Sequence, residues 1–287
     1  MNIMPTLVRR ELWEHRYLWI VPLVIASLIV VAALFPHANV QVDHADIASP
    51  QKSMEMFALF HSALKIPQFL LLSVLLSYYL LDCLFAERRD RSILFWKALP
   101  VSDAQTVLSK LLVALAVVPL GVYVLTLVTD LIASEILGAR MHNPEVVHAF
   151  LRWDTAAWLY TQGLILGALV MVLLWYVPVA AYLLLISGWA KRNAFLWAVM
   201  PPLAAMLVEK IAFGTTYIAH FIGYRLNGIW HVIGINKAPA AGAQAASALD
   251  RISPLAALAN VDLWLGLLVS VALVWLTIRI RRHQDDT

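Results

Sequence analysis

Few residues in this chain are able to do chemistry, and they are scattered. His142, Glu145 and His148 stand three apart, a spacing that sets three ligands on one side of a helix, where they could hold a metal or sense pH. Most histidines fall in or beside segments read below as outer loops, so solvated or hydrogen-bonded imidazoles are the competing account. Four ionisable residues, Asp82, Asp130, Glu209 and Lys210, stand inside apolar stretches. A charge at the centre of a membrane costs roughly 2.5–3.5 kcal/mol on insertion scales, so each of the four needs an explanation. Asp82 and Asp130 lie near the ends of their stretches and are expected to reach headgroups or water. Glu209 lies about 15 residues, or about 22 Å, into its stretch, with Lys210 beside it able to snorkel outward. Glu209 reads either as an interfacial or paired structural carboxylate, or as part of a translocation path or a hinge.

Hydrolase signatures are missing from the sequence. There is no Gly-x-x-x-x-Gly-Lys-Ser/Thr loop to cradle nucleotide phosphates, no His-Glu-x-x-His pair for zinc and no Gly-x-Ser-x-Gly elbow for a serine nucleophile. No catalytic residue and no metal site is therefore assigned, and the chain is expected not to be an enzyme. If ATP drives it, another subunit must bind the nucleotide. The single cysteine, Cys83, sits in an apolar run and reads as a small buried hydrophobe.

The elements that position these residues follow from composition. Of the 287 residues, 62% are hydrophobic and 14% charged, against roughly 45–50% and 25% in a soluble domain. The apolar residues are bunched in blocks of about 20, the length a helix needs to cross a bilayer. The expected fold is all-α and integral to the membrane, with six transmembrane helices near 17–35, 67–85, 107–133, 160–187, 194–213 and 261–280. A cleavable signal peptide is the competing account of the first block, whose apolar core is too long for one. Pro22, Pro119, Pro178, Pro201 and Pro202 lie inside spans and favour kinks.

Orientation comes from the basic residues. Arg9, Arg10, Arg16, Arg88, Arg89, Arg91, Lys97, Lys110, Lys191, Arg192, Arg279, Arg281 and Arg282 all fall on one side if there are six crossings. The opposite loops, 36–66, 134–159 and 214–260, are longer yet less basic, so both termini are expected to be cytoplasmic. The net charge of +3 is spread over helix ends and is read as topology, with no nucleic-acid partner. Trp19, Trp158, Trp189, Trp197 and Trp264 fall near the expected helix ends, as indoles do at an interface. Ala238 to Ala248 reads as a flexible or weakly helical connector.

The segment 86–106 is the most informative. Glu87, Arg88, Arg89, Asp90 and Arg91 precede an apolar patch, Ile93 to Trp96, and then the turn Leu99-Pro100-Val101-Ser102 leads toward Lys110. A loop that only sets topology needs lysines and arginines alone. Carboxylates, aromatics and a turn together suit a docking surface for a cytoplasmic partner. The leader, residues 1–16, has a similar mixture: Leu7, Val8, Leu12 and Trp13 could lie toward lipid with Arg9, Arg10, Glu14 and Arg16 toward water, as an interfacial helix.

With its basic leader, the Glu87-Arg88 to Leu99-Pro100-Val101-Ser102 loop, Lys110 opening the third helix, the short Trp189-Ala190-Lys191-Arg192 turn and six spans, the chain resembles a permease subunit of the ABC-2 type exporter family. That resemblance implies a type V ABC exporter-like transmembrane domain over 17–287, with residues 1–16 as a connecting helix. It implies a second permease subunit, identical or related, and a cytoplasmic ATPase that carries ATP and Mg. The coupling residues would be Glu87, Arg88, Asp90, Arg91, Phe95, Trp96, Leu99, Pro100 and Ser102, with short elements within 214–260 capping the outer mouth. It also implies a multi-pass protein of a bacterial cytoplasmic membrane. A membrane anchor or assembly factor for an ATPase, and a polytopic enzyme using the outer histidines and Glu209, stand as the alternatives.

Overall fold

Large apolar side chains point outward from these helices. Leu120, Val124, Val128 and Ile132 recur every fourth residue along one helix and are 45–56% exposed, the reverse of an amphipathic helix in water. The computed structural model describes residues 3–35, 50–90, 101–140, 155–234 and 252–283. In chain order these form α1 (Ile3–Glu14), α2 (Tyr17–Ala33), α3 (Pro50–Ala63), α4 (Ile66–Arg89) and α5 (Asp103–Leu112). A π-helical turn (Val113–Val117) joins α5 to α6 (Val118–Arg140). Then come α7 (Thr155–Trp189), α8 (Ala194–Phe213), α9 (Tyr217–Val232), a 3₁₀ turn (Pro254–Ala259) and α10 (Val261–His283). No strand occurs among the described residues.

Five stretches are long and apolar enough to cross a membrane: Phe57–Arg89, Asp103–Arg140, Trp158–Trp189, Ala194–Phe213 and Val261–His283. α1 and α2 pass the same test together but are bent by 59° at their junction. The expected all-helical multi-pass architecture is therefore present as five or six such stretches. The boundaries differ from expectation in places. The segment 36–66, read as a loop, contains α3, whose apolar end runs into α4 across a break at Leu64–Lys65. The third span reaches from 103 to 140 because a capping box starts it early: the Ser102 hydroxyl accepts from the Gln105 backbone, and the Gln105 side chain accepts from the Ser102 N–H. Ala238 to Ala248 lies outside the described residues.

α7 runs along α4 and α10, and α2 packs between α4 and α6. The main apolar core joins Leu18, Tyr79, Leu80, Cys83, Leu84, Val107, Val113 and Leu184, with Cys83 buried as expected. Leu7 is buried and Val8 and Leu12 pack against this core, so the bundle itself covers the leader face expected to lie on lipid. Trp13 does remain exposed, beneath the Arg16 guanidinium.

Prolines leave one clear mark. Pro119 has no N–H for the carbonyl four residues back, and the wide π turn lies immediately before it, with the Val118 N–H bonded to the Val113 carbonyl. α2, α7 and α8 carry Pro22, Pro178 and the Pro201–Pro202 pair without a break in the helix.

Arg225 ties α9 to α7 and α10. The Arg225 guanidinium donates to the carbonyls of Trp175 at 2.6 Å and Asp262 at 3.1 Å, and lies over the Trp175 ring, 4.6 Å from its centroid. In return the Trp175 indole donates to the Arg225 carbonyl at 2.8 Å. Trp175 is fully buried and sits with Ile229, Ile233, Ala257 and Leu263 in a second core. A Cβ on Gly266 would come within 2.2 Å of Arg225 Nη2, so only glycine leaves room for this arrangement. Gly266→Ala is therefore expected to displace the Arg225 guanidinium and lower stability by about 2 kcal/mol, through loss of its hydrogen bonds to Trp175 and Asp262. Gly163→Ala, whose Cβ meets nothing within 4 Å, is expected to be neutral in the same thermal-unfolding measurement in detergent.

Candidate functional site

Four helix ends meet where the two described termini of the chain lie, and the charges there are buried together. Lys110, on the second turn of α5, is completely inaccessible, and its ammonium lies 2.8 Å from Glu11 Oε1 of α1 and 3.0 Å from Glu87 Oε1 of α4. Arg281, in the last turn of α10, donates from Nη1 to Glu87 Oε2 at 2.7 Å and from Nε to Asp103 Oδ1 at 3.0 Å. Arg10 adds a looser contact to Glu87 at 3.6 Å. The Tyr79 hydroxyl donates to Glu11 Oε2 at 3.0 Å, and the His15 ring stands edge-on to Tyr79. Carboxylates Glu11, Glu87 and Asp103 thus face the cations Lys110 and Arg281, with Arg10, itself bound to Glu14 at 2.7 Å, at the rim. Buried ions persist only when paired and hydrogen-bonded in this way.

Local sequence explains the convergence. Glu87 comes after an apolar run whose inward face holds Leu80, Cys83 and Leu84, so a residue three or four further on faces the same interior. Asp103 opens α5, where a carboxylate also suits the helix N-terminus, and Arg281 closes α10, where a cation suits the C-terminus.

The structure sorts the expected coupling residues. Glu87 is 5% exposed and turned into the cluster. Arg88 reaches across to the end of α7, donating to the carbonyls of Ser187 at 2.6 Å and Ala190 at 2.8 Å, a cap on that helix. Asp90 is exposed beside Arg89 at 3.1 Å. Ser102 is the N-cap of α5. Arg91, Phe95, Trp96, Leu99 and Pro100 lie outside the described residues, as do His142, Glu145 and His148.

Glu209 is nearly buried and fully engaged. Its Oε1 accepts from the Thr215 hydroxyl at 2.7 Å and the Tyr217 N–H at 2.6 Å, and its Oε2 from the Ile218 N–H at 2.8 Å. The carboxylate thus closes the N-terminus of α9 across a turn in which Gly214 adopts φ +65°. Lys210 is exposed beside it.

A second buried polar cluster lies at the opposite end of the bundle. Asp130, expected to reach headgroups, is instead 1% exposed, because α3 folds over it. The Lys65 ammonium donates to Asp130 Oδ2 at 2.6 Å, His61 Nδ1 lies 2.6 Å from Oδ1, and the Gln162 amide donates to Oδ2 at 3.2 Å. Gln68 donates to the Thr129 hydroxyl beside them at 3.2 Å.

Glu11, Glu14 and His15 bring one ligand atom each within 4.8 Å of one another. Glu11 is already taken by Lys110 and Tyr79, and an ammonium at 2.8 Å repels a cation, so this group makes a poor metal site. No family model, curated protein or solved structure matches the chain.

Arg281 reads from sequence as a topogenic charge, Lys110 as that and as part of the family resemblance, and Glu11 carries no assigned role there; the structure puts all three at the centre of the site. Lys110→Met strips Glu11 of its ammonium and Glu87 of one of its cations, and is expected to cost about 3–5 kcal/mol in thermal unfolding. Lys110→Met combined with Glu11→Leu is expected to recover part of that loss. Arg89→Ala, at an exposed pair, is expected to leave the unfolding temperature unchanged.

Proposed function

We propose that this chain is the permease subunit of an ABC-2 type exporter, working in the bacterial cytoplasmic membrane with a second permease chain and a separate cytoplasmic ATPase that holds ATP and Mg. The observation that carries this reading is a clamp. Glu87 and Asp103 stand at the two ends of the mixed-charge, aromatic segment between α4 and α5, and both bind one guanidinium, Arg281. A force on that segment reaches α4, α5 and α10 together, and through Lys110 it also reaches α1. That is what a coupling element requires.

In this reading the termini end is cytoplasmic, and the ATPase grips the segment through Asp90 and Arg91 as ionic contacts and Phe95 and Trp96 as apolar anchors. Leu99, Pro100 and Ser102 set the turn back into the membrane. Glu87 and Arg88 work from inside, Glu87 through the clamp and Arg88 through the end of α7. Glu209 fixes the start of α9, which rests on α7 and α10 at the opposite mouth. ATP binding to the partner then favours one of two packings of the bundle, and the two permease halves tilt to open outward.

Affinity purification of the tagged chain from its native membrane tests this. A nucleotide-binding ATPase and a second permease chain are expected to come along, and Trp96→Ala is expected to cut ATPase recovery at least about tenfold, as loss of an aromatic anchor does. Recovery of the chain without any ATPase would overturn the reading, and an ATPase retained without any export phenotype would favour the anchor instead.

A further inference from the structure

Of the four ionisable residues in the apolar stretches, Asp130 is paired, Glu209 caps a helix and Lys210 is exposed, which leaves Asp82. It lies on α4 about 10 Å from Arg89 along the axis, at 1.5 Å per residue. Among the described residues it makes no hydrogen bond and no ion pair. Arg89, the nearest basic residue on its helix with an exposed side chain, is held by Asp90 and lies over the Phe85 ring.

Asp82 opens into a lateral groove of about 490 Å³ between α4 and the start of α8. The groove is lined as well by Ser73, Ser77 and Asn193 and by the rings of Tyr78, Phe85 and Phe195, with Ser77 and Ser73 about 7.5 and 13.5 Å from Asp82 along α4. Both serine hydroxyls spend their protons on α4 carbonyls, Ser73 on Leu70 and Ser77 on Ser73, so their oxygens face the groove as acceptors. A carboxylate, acceptor oxygens and aromatic faces, open sideways to lipid, together suit a cation with an apolar body.

Nor does a second copy of the chain supply the missing charge. In a two-fold pairing over this groove each copy shows the other the same surface. That lining contains no lysine or arginine, so Asp82 would meet Asp82.

We propose that this groove binds amphiphiles with a cationic, amine-type head, the ammonium at Asp82 and the apolar body along Val74, Leu81 and Phe195. Such molecules are then the class of cargo. That role in transport rests on the exporter reading, whereas binding itself does not.

The test uses the full chain in lipid nanodiscs, with empty nanodiscs subtracted, and radiolabelled dodecyltrimethylammonium against dodecanol. The cation is expected to bind at least about tenfold more tightly than the neutral alcohol, the scale of one well-formed charge contact. Asp82→Asn is expected to abolish that preference and Asp82→Glu to keep it, with the unfolding temperature of each confirming an intact bundle. Equal binding of both probes, or a preference that survives Asp82→Asn, overturns the proposal. So does Ser77→Cys cross-linking to a second copy that closes the groove to the probe. A cation preference without ATPase recovery keeps the site and removes the exporter, and ATPase recovery without the preference does the reverse.

Discussion

Lys110 sets the terms for the rest of the molecule. An ammonium with no access to solvent holds its charge only if carboxylates meet it, and those carboxylates come from α1 and α4. Once Glu87 is in place it needs Arg281 to balance its second oxygen, and Arg281 in turn takes up Asp103. Each charge is tolerable only because of the next, so four helix ends separated by up to about 270 residues of chain are fixed to one another. The amino-terminal helix becomes a structural part of the bundle rather than a float on its surface.

Among the described residues, buried polar contacts gather in islands within a largely apolar body, among them the clamp at the termini end, the Asp130 cluster at the other, the Glu209 cap and the Arg225 contact of α9 with Trp175. In lipid the hydrophobic effect does not drive helices together, so such islands and close packing decide which neighbours a helix takes. Arg225 shows how narrow the choice is, since its place exists only because residue 266 has no side chain.

Much of the fold was legible, because an apolar block of membrane length has one physical solution. The span 194–213 was read with the bounds it has, and Cys83 was read as buried. The site was less legible. Lys110 and Arg281 look like any basic residues that mark a membrane boundary, and nothing local separates a snorkelling lysine from a buried one. Their partners lie 99 and 194 residues away in sequence, so the pairing exists only in three dimensions. Lys65 and His61 were missed for a related reason: they fall in a stretch too polar on average to be read as a span, and the helix there is held by Asp130. The capping box at Ser102 and Gln105, by contrast, is a local signal that does mark where the third span begins.

The π turn ahead of Pro119 has a consequence for the phase of the third span. Lys110 and Asp130 are twenty residues apart, which on a regular helix of 3.6 residues per turn aims them about 200° apart, nearly back to back. One extra residue taken up in the wide turn closes that offset to about 100°, so both can be reached from the same side of the bundle. A chain shortened by a single residue between 113 and 117 would return this stretch to a regular helix with Lys110 and Asp130 nineteen residues apart, again about 100°, so the two clusters would keep their phase and only the wide turn would be lost. The wide turn is thus the means by which the third span carries one residue more than a regular helix would, ahead of Pro119, without turning one cluster away from the other.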